Sequence, residues 1–266
     1  MAVATISGTR LHYVDVGRGS PPLVLLHAFP LHLGMWDEQV VALSSRWRVI
    51  LPDLPGFGAT DPLPDPGATS IEGFADLVAG LMDALGVGPA VIGGLSMGGY
   101  VAFSLLRRHP QRVAALVLAD TRAAADTPEV IERRNAQQQQ VTEEGTDRLV
   151  EAQLANLLTE DTRANRPDVV ERARALMHGA SAAGVIGALE AMKNRADAVP
   201  ELEAIQVPVL VLVGEHDGPS PPDVAAAMAN GIPGARLEVL PGAGHLSNLE
   251  APDAFNRALE SFLTRL

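Results

Sequence analysis

The chain has no cysteine. That excludes disulfide bridges, a thiolate nucleophile and thiolate-bound metal, though it does not fix the compartment. Positive charge is scarce too: 20 Lys and Arg stand against 32 Asp and Glu, a formal net charge of −12. Nucleic-acid surfaces need clustered Lys and Arg facing phosphate, and anionic membranes attract the same residues, so neither partner is expected. No apolar run approaches the roughly 18–20 residues that a membrane helix needs. The opening stretch MAVATISGTRLHYVDVG lacks a basic region followed by an apolar run. No secretory signal is therefore expected, and the chain reads as a soluble cytoplasmic protein. What remains is 266 residues, 47% hydrophobic and 20% charged, a globular composition long enough to bury a large core without covalent staples.

Short apolar runs alternate with helical patterns. TISGTRLHYVDVG alternates around a Gly turn and reads as a hairpin. PPLVLLHAF is a continuous apolar run of strand length, as expected for a strand buried on both faces. WRVILPDLPGFG is a strand stopped by Pro and Gly. SIEGFADLVAGLMDALGVG is an amphipathic helix, opened by a Ser and closed by a Gly. PAVIGGLS, VAALVLADT, VPVLVLVGEHD and ARLEVLPGAGH are further strands, separated by helical segments. Strands alternating with helices predict a mostly parallel sheet covered on both faces. From about Ala123 to Pro200 strand-like runs vanish and helical patterns follow one another. This segment is read as an all-helical insertion into a core formed by 1–122 and 201–266, not as a separate folding unit.

The stretch VIGGLSMGGY contains G-x-S-x-G at Gly94–Gly98. With Gly and Ser each near 7% of residues, a chain of this length shows the pattern by chance about one time in ten, so its context has to carry the argument. It lies between a predicted strand and a predicted helix, where a sharp turn lifts Ser96 above the sheet. Neighbouring Cβ atoms would collide in such a turn, and glycine removes them. The other reading is a Gly-rich turn with Ser96 as a helix cap. A serine nucleophile needs a base held by an acid. Asp217 ends the strand VPVLVLVGEHD, His245 follows the strand LEVL, and functional groups collect at strand carboxyl ends in such sheets. Ser96, Asp217 and His245 also follow the chain order associated with this turn. Asp120, at the end of VAALVLAD, is the alternative acid. The oxyanion donors are expected to be the N–H of Met97 and that of Phe29, with Ala28 as the alternative to Phe29. His27 is read as a loop brace, Asp53 as a turn holder and His216 as a loop residue. His32, His109 and His178 have no convincing metal-ligand spacing.

LLHAFP, LPDLPGFG, GLSMGG, VLVGEHD and PGAGHLSNLEAP resemble the α/β-hydrolase superfamily in order and spacing, over nearly the whole chain. Within it the chain is similar to the group of 3-oxoadipate enol-lactonases, small esterases and cofactor-free haloperoxidases or perhydrolases. The resemblance implies an α/β-hydrolase fold. Its sheet would be eight-stranded and mostly parallel with the second strand antiparallel, flanked by helices, and the helical segment 123–200 would be a cap inserted after the sixth strand. It also implies Ser96 as nucleophile, His245 as base, Asp217 as orienting acid, Phe29 and Met97 as oxyanion donors, and no metal or organic cofactor. His27-Ala28 departs from the His-Gly frequent in the family. Ser96 replaces the Asp that haloalkane dehalogenases and epoxide hydrolases carry there, which argues against both activities.

The expected pocket is apolar, with Ala28, Phe29, Trp36, Met97, Met177 and Met192 around the nucleophile. Arg122, Arg133 and Arg134 are candidates for holding a substrate carboxylate, as an enol-lactone would require. The expected partner is a small ester or lactone, and self-association stays open. Perhydrolysis with the same residues is the alternative activity. A ligand-sensing protein that kept the fold is the alternative of another class.

Overall fold

The computed structural model describes residues 2–266. Among them are eight strands: β1 (Ala2–Ile6), β2 (Thr9–Val16), β3 (Leu23–Leu26), β4 (Val49–Pro52), β5 (Ala90–Leu95), β6 (Val113–Ala119), β7 (Val209–Gly214) and β8 (Arg236–Leu240). They form one sheet in the order β1-β2-β4-β3-β5-β6-β7-β8. β2 runs antiparallel to both its neighbours and the other pairs are parallel. This is the mostly parallel, eight-stranded arrangement that the resemblance implied. Every residue of β3, β4, β5 and β7 is buried, which is why these strands read as unbroken apolar runs and not as alternation.

Helices cover both faces. α1 (Asp37–Leu43), α2 (Ile71–Ala84) and α3 (Met97–Arg108) interleave with the first strands. α2 starts where it does because the Ser70 side chain accepts from the Gly73 amide, and it buries Phe74, Val78 and Leu81 against the sheet. Full burial of each such side chain stabilises by about 1.5–3 kcal/mol. Between β6 and β7 lie α4 (Pro128–Glu144), α5 (Asp147–Leu157), α6 (Glu160–Asn165), α7 (Pro167–Met177) and α8 (Ala182–Lys193). These are called the cap helices below. α9 (Pro222–Gly231), α10 (Ser247–Glu250) and α11 (Pro252–Leu263) complete the chain.

The apolar interior divides into two clusters, one on each face of the sheet. One joins α2, α3 and α9 with Val185 and Leu189 of α8. The other joins α1 and α11 with Val150 and Leu154 of α5 and Met177 of α7. The cap helices thus bury their apolar stripes in the same interior as the sheet. The loops following β3 through β8 emerge along one rim, the rule for open α/β sheets, and that rim carries the polar groups described next.

Candidate active site

β5 ends at Leu95 and α3 begins at Met97, so the chain reverses through the single residue Ser96. Its φ is +53° and its ψ −112°, a conformation that costs a non-glycine residue of order 1–3 kcal/mol. The turn is held from both sides. The Ser96 amide donates to the Ala119 carbonyl at 2.9 Å, and Thr121 Oγ1 donates to the Ser96 carbonyl at 2.8 Å. A Cβ at Gly94 would strike the backbone of Gly98, and one at Gly98 would strike the Leu26 carbonyl, so the helix start packs directly on β3 and β5. The Ser96 side chain makes no capping hydrogen bond. The helix-cap reading therefore fails, and the hydroxyl is left for another partner.

That partner is His245. Its Nε2 lies 2.9 Å from Ser96 Oγ, and its Nδ1 lies 2.8 and 2.9 Å from the two oxygens of Asp217. A carboxylate only accepts, so Nδ1 carries the proton and Nε2 presents its lone pair to the hydroxyl. Asp217 and His245 are both buried. The Ser220 amide donates to Asp217 Oδ1 at 2.7 Å, and the His245 amide donates to the Leu157 carbonyl at 3.0 Å, so the end of α5 helps seat the imidazole. Asp120 does not touch His245. It is fully buried and accepts from the Gly214 amide at 2.8 Å and from the Ser247 hydroxyl. Burial first, and the charge of Asp217 next, push its carboxyl well above the usual carboxylate range.

Phe29 and Met97 flank the serine, and among the described residues neither backbone amide meets a protein acceptor. The Ala28 amide is already engaged, donating to Met35 Sδ at 3.2 Å, which leaves the Phe29 amide as the free one of the two. His27 braces the loop: its Nε2 accepts from the Leu54 amide at 3.0 Å and its Nδ1 lies 3.0 Å from the Ala28 carbonyl. Burial lowers its pKa to about 4, with the Ala28 hydrogen bond opposing, so the ring is neutral. Asp53 holds two loops, accepting from Leu33 at 2.8 Å and Ala59 at 2.9 Å. His216 pairs loosely with Glu215, His109 pairs with Asp76, and His32 accepts from the Gly34 amide. Among the described residues no group of three His, Asp or Glu side chains is arranged to hold a metal ion.

Ser96 and His245 open into a cavity of about 510 Å³ between the sheet rim and the cap helices. Its composition corrects the expectation of an apolar pocket. Phe29 and Met192 line it, but Ala28, Trp36 and Met177 do not. All three are fully buried. Trp36 packs on Phe255 with ring centroids 5.9 Å apart, and Met177 joins the cluster around α1 and α11. Met97 is likewise buried and offers the site only its amide. Apolar residues at helical spacing were drawn into the core, and polar ones were left on the cavity wall. Arg122, Arg133 and Arg134 all line it, together with Tyr100, Asp126, Gln137, Gln153 and Asn156. Reading the residues one by one missed these last five, although a spacing signal exists. Positions 130, 133, 134 and 137 recur at helical spacing on α4, as do 152, 153, 156 and 157 on α5.

Comparison with known proteins agrees with the fold. A family model described as alpha/beta hydrolase fold matches residues 21–252. A thermophilic esterase from Thermogutta terrifontis, solved with malate bound, superposes with a TM-score of 0.94 at 39% identity, covering 99% of this chain and 98% of that one. The enol-lactonase from Burkholderia xenovorans superposes with a TM-score of 0.91 at 34% identity, covering 99% and 100%. In sequence, a 3-oxoadipate enol-lactonase of Acinetobacter baylyi is 29% identical over 98% of this chain and 96% of its own length.

Proposed function

The chain belongs to the α/β-hydrolase fold family, and from that premise we propose that it hydrolyses small carboxylic esters or lactones through an acyl-enzyme on Ser96. The observation that carries this reading is the position of the His245 ring, with one nitrogen 2.9 Å from the Ser96 hydroxyl and the other 2.8 Å from Asp217. The relatives named esterase and enol-lactonase support the substrate class. So does the cavity, whose volume of about 510 Å³ falls in the range of roughly 300–1,000 Å³ typical of small-molecule sites.

In this mechanism Ser96 Oγ attacks the carbonyl carbon while its proton passes to His245 Nε2. Charge moves onto the carbonyl oxygen, which the Phe29 and Met97 amides receive. Asp217 keeps Nδ1–H in place and stabilises the imidazolium. The C–O bond to the leaving group then breaks, and that oxygen takes the proton from Nε2. Water enters, gives a proton to Nε2 and attacks the acyl carbon. The Ser96 oxygen leaves, regains its proton, and the acid is released. One water is consumed for each ester or lactone opened. The positive φ of Ser96 and the α3 N-terminus both serve this chemistry, one by lifting Oγ into the cavity and the other by favouring negative charge beside it.

The test is Ser96→Ala assayed with 4-nitrophenyl acetate, beside covalent labelling of the wild type by an organophosphonate. Turnover is expected to fall by at least ~10³-fold, with label found on Ser96. Undiminished turnover in the variant would remove the serine from the reaction.

A further inference from the structure

Glu250 is a buried carboxyl that the mechanism above leaves unused. It closes α10, the short helix that begins just after His245, and is 6% exposed. It does not line the cavity. Its two oxygens face different parts of the molecule. Oε2 accepts from the amide of Gly244, the residue before His245, at 2.8 Å. Oε1 accepts from the amide of Thr159 at 2.8 Å, and Thr159 lies in the turn between α5 and α6 of the cap. These two amides are its hydrogen-bond partners among the described residues. A carboxyl buried without a cation partner is costly to keep, so its placement calls for a reason beyond packing.

The bridge runs beside the bond from the His245 amide to the Leu157 carbonyl, 3.0 Å long. Leu157 and Thr159 of the cap thus meet His245 and Gly244, with the carboxyl closing the ring. The loop between them has little room to drift. A Cβ at Gly244 would lie 2.8 Å from Glu250 Oε2 and 3.2 Å from the Leu157 carbonyl oxygen. On its other side the same loop rests on the end of β7, where a Cβ at Gly214 would strike the carbonyls of Gly244 and Ala243. The His216 amide also donates to the Ala243 carbonyl at 2.8 Å. The backbone that carries the imidazole is therefore gripped between the strand leading to Asp217 and the cap.

Resting on the ester-hydrolase reading above, we infer that Glu250 is a positioning residue: its carboxyl fastens the α5–α6 turn of the cap to the backbone of Gly244 and so fixes how far His245 Nε2 stands from Ser96 Oγ. It touches no substrate and moves no proton. The cap then has two separate tasks. α4, α5 and α8 wall the cavity, and the turn after α5 seats the base. These tasks separate in kinetics. His245 passes a proton in both acylation and deacylation, so misplacing it slows both steps, lowering kcat and leaving KM in place. A displacement of about 1 Å is enough to cost of order 10²-fold.

The experiment measures kcat and KM on 4-nitrophenyl acetate, with active sites counted by organophosphonate labelling carried to completion, so that unfolded protein does not enter kcat. Glu250→Gln keeps the length of the side chain but turns an NH2 group towards one of the two amides. It is expected to lower kcat by about 10–100-fold with KM within about twofold of wild type. Gly244→Ala keeps the carboxyl and pushes it off the loop. It should show the same pattern, so the test does not rest on one variant folding, and the two changes together should cost little more than either alone. Arg166 donates to the Glu250 backbone carbonyl, fastening the cap at the same place without the side-chain bridge, and Arg166→Gln should keep kcat close to that of wild type. Unchanged kcat in either Glu250→Gln or Gly244→Ala, a loss carried by KM alone, additive losses in the double variant, or an equal loss in Arg166→Gln would overturn the inference and leave the hydrolase reading standing. Absence of both turnover and label in the wild type would overturn both.

Discussion

Two buried carboxylates, Asp217 and Asp120, lie at the ends of neighbouring strands, and their surroundings give them opposite characters. Asp217 meets the His245 ring and a backbone amide. Asp120 is enclosed at full burial beside that charge, and the two effects in that order push its carboxyl well up. Burial next to a second carboxylate disfavours charge on Asp120, which therefore makes a poor partner for an imidazolium. This separates roles that the sequence left open, since both residues end a strand and both are of the right type. Asp217→Asn is expected to lower kcat on 4-nitrophenyl acetate by about 10⁴-fold, because an amide there favours the wrong imidazole tautomer. Asp120→Asn keeps the shape of a side chain that meets Gly214 and Ser247 and not the imidazole, and should stay within about tenfold of wild type. Steady-state kinetics of the two variants decide it. The reverse order of losses would move the acid to the end of β6.

At the scale of elements, the seat of the cap on the sheet rim is backbone against backbone. The Gly58 amide donates to the Gly179 carbonyl at 2.9 Å, and the Ser181 amide donates to the Gly56 carbonyl at 2.9 Å. Gly56, at φ +89°, and Gly184 of α8 approach so closely that a Cβ on either would enter the other's backbone. In an open helix Gly→Ala gains about 1 kcal/mol. Here overpacking against a rigid loop costs about 1–3 kcal/mol or more, and the clash should win. Gly184→Ala is expected to lose about 2 kcal/mol net, a fall of roughly 4–8 °C in the thermal midpoint, and a raised midpoint would refute the close seat. Elements of this kind also mark where the sequence stops being legible. β3, β5 and β7 announce themselves as unbroken apolar runs, and α2 by its Ser70 cap, because local burial and capping decide those segments. Ser96, Asp217 and His245 are legible as candidates because each is a residue type that nucleophilic catalysis uses, set just past a strand. The cavity wall is not, because Gln153 or Arg133 on a cap helix looks the same whether it faces water or a ligand. Trp36 and Met177 were expected in the pocket for the converse reason: an apolar residue near the site and one in the core share the same spacing. The short α6 and α10 carry too few residues to establish a period.

For the molecule as a whole, the loops of the rim depend on a histidine that has to stay uncharged. His27 accepts from Leu54 across the gap between the loops after β3 and β4, and Asp53 beside it ties the same loops to Leu33 and Ala59. An accepting Nε2 is available only while the ring is unprotonated there. Burial lowers the folded-state pKa from 6.5 to about 4, with Ala28 and Asp53 opposing and His32 adding to the shift. In the unfolded chain the same ring protonates near 6.5, so between those two values the unfolded state binds more protons than the folded one. Stability therefore falls as pH falls through this window, and the total loss attributable to His27 is about 3 kcal/mol once pH is below the folded value. Carboxylates that titrate lower down, such as Asp76 in its pairing with Arg108, act equally in a variant and cancel in a difference. His27→Gln is expected to start less stable, having traded one acceptor for another of different reach. Its unfolding free energy should then decline less from pH 6.5 to 4 than that of the wild type, by about 3 kcal/mol. Urea titrations at several pH values in that interval measure both slopes. Parallel slopes would mean that the folded protein accommodates a charged ring at position 27, and the loop brace would have to be assigned to Asp53 alone.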